Sequence, residues 1–208
     1  IIPVTIKIRI GWTKQEVSAF EVCRIAKECG VSAITLHGRT SSQAYTGTAD
    51  WDFIKQVRES TDLPFIGNGD VKTPETAIQL LDSTGCDGIM IGRESYFNPW
   101  FFRDLNVYAQ KMHSPQNPVE DKEHSSCNRA QEVKELILLQ LEENVARYGE
   151  YSGVQKMRKF AAWYTRGLRG SARFREHVNN QETLADMKSV IDEYFRYCGE
   201  KHLGESEH

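Results

Sequence analysis

PFIGNGDVKTPETAIQLLDSTGCDGIMIGR, residues 64–93, decides the fold. Its two apolar runs, Pro64–Gly69 and Asp87–Gly92, each end in a glycine-bearing turn. Neither alternates apolar with polar residues, which is the pattern of a strand buried by flanking helices. Between them Thr73 stands as an N-cap with Pro74 at the first helical position, so a helix is predicted from there through Leu81. Strand, helix and strand in this order form a βαβ unit, which pairs its strands in parallel.

The same alternation continues on both sides. Pro3–Ile10 is β-branched and apolar on alternate positions. Glu16–Cys29 spaces Val17, Phe20, Val22, Ile25 and Ala26 as one helical face, and Gly30 stops it. Ser32–His37 reads as a second strand, Trp51–Ser60 as a second helix, and Trp100–Leu105 as a short last one. Four βα units make either a small open sheet or half of a (β/α)8 TIM barrel, which takes about 250 residues in full. The chain opens directly on a strand, without a cap or lead. The expectation is therefore the second half of such a barrel over residues 1–105, in a chain that begins inside a domain.

Residues 106–128 change character. They are polar, with Pro115, Pro118 and the run EDKEH, and read as a linker or exposed loop. From 129 to 208 strand signals cease. Arg129–Tyr148, Val154–Leu168 and Gln181–Tyr197 each carry apolar residues at helical spacing, so an all-α second domain is expected.

Composition narrows the class. The 208 residues contain no apolar run near the roughly 18 of a membrane span, and no secretory signal opens them. Cys23, Cys29, Cys86, Cys127 and Cys198 are scattered, odd in number and without a CxxC pair. That argues against a disulfide framework or zinc site and for a reduced, cytoplasmic protein. The net charge of −3 hides an asymmetry. Between Tyr151 and Arg175 stand Lys156, Arg158, Lys159, Arg166, Arg169, Arg173 and Arg175, with no acidic residue among them. A basic stretch on an acidic protein suits a polyanion.

Several residues carry candidate chemistry. The turns IGNGD (66–70) and IGR (91–93) close successive strands, the position where barrels of this class hold phosphate. Glycine lets backbone N–H groups approach the anion, and Arg93 adds charge. The bland alternative is a pair of tight turns. Lys7 and Arg9 share the face of the first strand opposite Val4, Ile6, Ile8 and Ile10. Buried cations need either a carboxylate partner or an anionic ligand. His37 ends the second strand, beside Arg39 and ahead of a long polar loop, where a barrel residue faces the active site. Lys156, Lys159, Trp163 and Arg166 are spaced to share one helix face, for phosphate contacts and base stacking or simply as a solvated face.

Five ordered blocks, PVTIKIRIGW, ITLHGRT with QAYTGTADW, PFIGNGDVKTPE, TGCDGIMIGR with NPWFF, and MRKFAAWY, resemble those of bacterial tRNA-dihydrouridine synthases. The resemblance spans residues 3–164 and implies an FMN-binding barrel, NADPH as reductant, and a C-terminal helical domain that grips tRNA. It implies that reduced flavin delivers hydride to a uracil C5=C6 bond while a cysteine donates the proton. By resemblance Lys7 and His37 contact the flavin or its ribityl-phosphate, and Asn68, Gly69, Asp70, Gly92 and Arg93 hold the phosphate. Arg9, Arg39, Lys156, Arg158, Lys159, Trp163 and Arg166 are the expected tRNA contacts. None of the five cysteines sits in the family's proton-donor motif, so no catalytic residue is assigned and the chain alone is expected to be inactive. Two other readings fit parts of the pattern: a flavin barrel reducing a small enone or orotate-like substrate, and a non-catalytic RNA-binding module.

Overall fold

The computed structural model describes residues 2–113 and 126–200, which divide into two compact units. The first alternates strands and helices: β1 (Thr5–Arg9), α1 (Ala19–Glu28), β2 (Ala33–His37), α2 (Trp51–Glu59), β3 (Phe65–Asn68), α3 (Pro74–Thr84) and β4 (Gly88–Met90), then α4 (Arg93–Phe97) and α5 (Phe101–His113). Tyr96–Asn98 group with the second unit.

The four strands are parallel and lie in chain order, β1-β2-β3-β4. Register pairs Arg9 with His37, His37 with Asn68, and Asn68 with Met90. Paired side chains share a face. One face therefore carries Ile6, Ile8, Ile34, Leu36, Phe65 and Gly67; the other carries Lys7, Arg9, Thr35, His37, Ile66 and Asn68.

The core forms on the first face only. Ile34, Leu36 and Phe65 join Ala19, Cys23 and Ala26 of α1, Ile54 and Val57 of α2, Ala77 and Leu80 of α3, and Phe101 of α5 in one cluster. Each fully enclosed Ile, Leu or Phe here is worth about 1.5–3 kcal/mol relative to exposure. The cluster takes no residue from the opposite face, where Lys7 is exposed and Arg9 and Asn68 are half-buried. Lys7 is therefore not the buried cation that the strand pattern suggests.

Helix starts follow their caps. Thr73 and Thr76 complete a capping box ahead of Pro74, and Gly85 in the left-handed region ends α3 three residues beyond Leu81. Asp50 accepts the Phe53 N–H at 2.8 Å to start α2. α5 runs to His113, eight residues into the stretch expected as linker. Asn106 faces solvent there, while Leu105, Tyr108 and Ala109 are half-buried. The rest of the expected linker up to residue 125 lies outside the described residues.

The second unit is helical: α6 (Ser126–Tyr148), α7 (Glu150–Tyr164), α8 (Ser171–Asn179) and α9 (Leu184–Glu200). Val133, Ile137 and Leu141 face Val154, Met157 and Ala161, with Phe174, Val178, Met187 and Ile191 completing the interior. α6 and α7 approach very closely. A Cβ on Gly153 would stand 2.6 Å from the backbone N and Cα of Val145. α7 ends at Tyr164, so Arg166 and Leu168 sit in the following turn and not on the helix. α8 was not expected from the sequence. No described helix is long and apolar enough to cross a membrane.

Candidate functional site

The row Arg9, His37, Asn68 and Met90 crosses the sheet at the C-terminal ends of its strands, on the face that the core leaves open. Lys7 lies one pair below, beside Thr35. Residues 38–50, between β2 and α2, fold over this end. Gly38 N–H donates to Asn68 O at 3.0 Å, and Asp50 N–H donates back to Gly38 O at 2.7 Å.

Arg39 fixes that loop from inside. Its side chain is 2% exposed. Nη2 donates to both carboxylate oxygens of Asp70 at 2.8 Å and to Gly47 O at 2.6 Å, while Nε donates to Thr46 O at 3.2 Å. Nη1 lies 3.4 Å from His37 Nε2. A guanidinium can only donate, so this contact makes Nε2 the acceptor and leaves the His37 proton on Nδ1. Arg39, expected to meet tRNA, is instead an internal brace with Nε, Nη1 and Nη2 all engaged.

Asp70 is the anchor of the brace. It also accepts the Ala49 N–H at 2.7 Å and lies 3.5 Å from Arg93 Nη2. Burial works to raise its carboxyl, but the Ala49 and Arg39 hydrogen bonds and the charges of Arg39 and Arg93 outweigh that and hold it below its ordinary range. An ionised carboxylate repels phosphate. The Asp70 side chain holds Arg39 and the loop, so a phosphate contact by this residue would have to come from its main-chain N–H. Its backbone has φ 56, and Gly69 before it has φ 140. A Cβ at Gly69 would stand 2.5 Å from the Ala49 methyl, so only glycine fits the turn. Trp51 Nε1 donates to Gly69 O at 3.1 Å.

Charge at this end is strongly positive. Arg39 and Arg93 act on the Asp70 carboxylate, and Lys7, Arg9 and Arg39 act on His37. His37, 7% exposed, titrates at about 4, lowered by burial and then by Lys7, Arg9 and Arg39 against the opposing pull of Asp70. It is a neutral imidazole at pH 7. Lys7 is lowered as well, by partial burial and then by Arg9. Arg9 has no carboxylate partner among the described residues; Nη1 donates to Thr40 O at 2.8 Å and Ala44 O at 3.2 Å. Asn68 donates Nδ2 to Met90 O at 2.7 Å, which ties β3 to β4. Gly92 is exposed and leads into α4. Sequence reasoning missed Tyr45. Its exposed ring lies 6.0 Å from the Arg9 guanidinium and 5.0 Å from that of Arg93. The run QAY gave no sign that Tyr45 meets two arginines, one from β1 and one from the start of α4.

The structure divides the expected tRNA residues of the helical unit. Lys156 and Lys159 are exposed, with their ammonium groups over the rings of Tyr148 at 4.6 Å and Trp163 at 5.0 Å. Trp163 packs edge-on against Phe97 at 4.9 Å and Phe160 at 5.5 Å. Arg158 is committed internally, with Nη2 donating to Gln181 O at 2.6 Å. Arg166, Arg169, Arg173 and Arg175 are exposed, and none of the seven cations between 151 and 175 meets a carboxylate among the described residues.

The chain thus joins a parallel α/β unit with cations at its strand ends to a helical unit that carries an acid-free basic stretch. The chain belongs to the dihydrouridine synthase (Dus) family, whose model matches residues 1–198. It is 34% identical to tRNA-dihydrouridine synthase B of Shewanella oneidensis over 93% of this chain and 57% of that protein. It is 39% identical to the Pasteurella multocida protein of the same name, over 86% and 51%. The Pseudomonas putida protein is 35% identical over 91% and 53%. The chain thus spans little more than half the length of these relatives. A mandelate oxidase mutant aligns over 95% of this chain and 65% of its own at 13% identity, with a TM-score of 0.32, too low to speak for the fold.

Proposed function

We propose that this chain contributes the phosphate end of a flavin site and an RNA-gripping helical unit to an enzyme that reduces uridine in tRNA to 5,6-dihydrouridine. The observation that carries the proposal is the cluster of Lys7, Arg9 and neutral His37 on the open sheet face, with Arg93 beside Asp70 at the turn after β3. Parallel strands in chain order, with their helices packed on one face, suit the wall of a (β/α)8 barrel, whose C-terminal rim carries the chemistry. A doubly wound sheet carries helices on both faces. We therefore infer the second half of such a barrel.

FMN fits this donor set. Lys7 and Arg93 would offset its phosphate, and the open space at Gly92 leaves backbone room for it. His37 would present Nδ1–H, and Asn68 its Oδ1, to the polar atoms of the ligand. When bound and reduced by NADPH, FMN would supply hydride to the uracil C5=C6 bond. Around it, Arg39 and Asp70 hold the 38–50 loop in place, and Arg9 orients Thr40 and Ala44 at the rim. The exposed cations of the helical unit would take tRNA phosphates, which position the RNA without reading bases. A small enone would leave them without a role.

No described cysteine stands at the strand C-termini. Cys23 and Cys86 lie buried on the helix side, Cys29 caps α1 at the far end of the strands, and Cys198 belongs to α9. Burial raises the thiols of Cys23, Cys86 and Cys198. We therefore assign no proton donor to this chain and expect the 208 residues alone to be inactive. Free thiols at these four positions suit the reducing cytoplasm.

The test uses the full-length gene product. Flavin absorbance bleached by NADPH, together with dihydrouridine detected by mass spectrometry in an unmodified tRNA transcript, is the expected result. A colourless protein that neither binds nor modifies tRNA overturns the proposal.

A further inference from the structure

Helices α8 and α9 enclose a groove of about 200 Å³ between them. That is below the roughly 300–1,000 Å³ of pockets for drug-sized ligands, and suits one planar heterocycle better than a whole nucleotide. The residues on its walls follow helical spacing. Arg173, Phe174 and His177 come from α8, and Glu193, Tyr194 and Tyr197 from α9. The floor is the stacked pair Phe174 and Tyr194, with ring centroids 4.2 Å apart and planes 21° from parallel. Tyr197 adds an aromatic ring that is 45% exposed.

The rim chemistry is unusual for a packing gap. Arg173 and Glu193 line the same groove from opposite helices, yet they form no ion pair with each other, nor with any other side chain among the described residues. One wall therefore offers a fixed donor and the other a fixed acceptor. The turn that closes one end of the groove carries Arg166 and Arg169. It is pinned there by Tyr194, whose hydroxyl donates to Arg169 O at 3.0 Å. Two exposed cations thus adjoin an aromatic slot edged by a donor and an acceptor.

Among the bases, guanine matches this arrangement best. Its O6 and N7 accept on one edge, as a guanidinium requires. Its N1–H and N2–H donate side by side on another edge, as the two oxygens of a carboxylate require. Adenine lacks the paired donors, and the pyrimidines lack the N7 edge. We propose that the α8–α9 groove receives one unpaired guanine base of the RNA, stacked on Tyr197, with Glu193 accepting from N1 and N2, Arg173 donating to O6 and N7, and Arg166 and Arg169 on the adjoining phosphates. This rests on the tRNA reading above and adds a base-specific contact to it. No group in the groove takes part in the reduction.

The test compares two tRNA transcripts against the full-length protein: one natural, and one with inosine at its unpaired guanosines. Inosine keeps N1–H, O6 and N7 but lacks the N2 amine. Wild-type protein is expected to bind the natural transcript about tenfold more tightly, as the loss of one charge-assisted hydrogen bond implies. Glu193→Gln is expected to bind both transcripts equally, at the weaker value. Glu193 is exposed, so its substitution leaves folding intact, checked by an unchanged melting temperature. Equal wild-type affinity for both transcripts overturns the guanine site and leaves tRNA binding standing. A wild-type protein that binds neither transcript overturns both.

Discussion

Arg39 and Asp70, 31 residues apart in sequence, meet with Nη2 2.8 Å from each carboxylate oxygen, and the guanidinium is almost wholly enclosed. The pair closes the 38–50 loop onto the turn after β3. Removing the carboxylate leaves a buried cation without its counter-charge. Asp70→Ala is expected to lower stability by about 3 kcal/mol. It is also expected to speed amide exchange at Gly47 and Ala49. A denaturation midpoint equal to wild type would show that the loop is held by something else.

His37 makes stability depend on pH in a defined window. Its unfolded imidazole titrates near 6.5 and its folded one at about 4. Between these values the unfolded chain binds the extra proton, so stability falls as pH drops from about 6.5 towards 4. The loss is at most about 3 kcal/mol for this group. Asp70, lowered in the fold, extends the decline. Its contribution is present above its unfolded value and is lost as pH falls through the lower folded one. Urea midpoints from pH 7 to 5 should slope downward for wild type, and His37→Gln should flatten the slope.

Gly69 and Gly92 make a matched pair. Gly69→Ala meets the Ala49 methyl at 2.5 Å and is strained at φ 140. It should destabilise by about 1–3 kcal/mol. A Cβ at Gly92 meets nothing within 4 Å, so Gly92→Ala should stay within about 0.5 kcal/mol of wild type. Chemical denaturation of the two variants side by side checks both halves.

The cations of α7 should separate by kind. Lys159→Ala is expected to weaken RNA binding alike for every sequence, and to reduce the salt dependence by about one unit. Arg158→Ala removes two hydrogen bonds to Gln181 O and should instead lower stability by about 1–3 kcal/mol. Affinity titrations at several salt concentrations, alongside melting curves, distinguish the roles. Equal effects on both readouts would contradict the division.

Local chemistry made much of this legible. Thr73 and Pro74 announced α3 because a cap and a fixed φ act within one turn. The parallel sheet followed from strand–helix alternation. α8 escaped notice because only Phe174 and Val178 of its nine residues are buried, with glycines just before it and charges throughout. α5 was cut short at Asn106, whose helix penalty is under about 1 kcal/mol and is outweighed by packing on either side. The site was legible as a set of polar residues at strand ends, not as a network. Whether Arg39 binds RNA or Asp70 depends on how a loop closes over 31 residues, and no local pattern encodes that. Lys7 looked buried because a strand pattern cannot say which face the helices cover.

Gly153, like Gly11, constrains the descent of this sequence in a way that a crowded side chain does not. The atoms that exclude a side chain there are the main-chain N and Cα of Val145. A crowded side chain can be relieved by trimming its neighbour, and the two positions then drift together. A crowded backbone has nothing to trim. Substitution at 153 has no partner mutation that rescues it, so the α6–α7 hairpin should keep this glycine while the residues around it turn over.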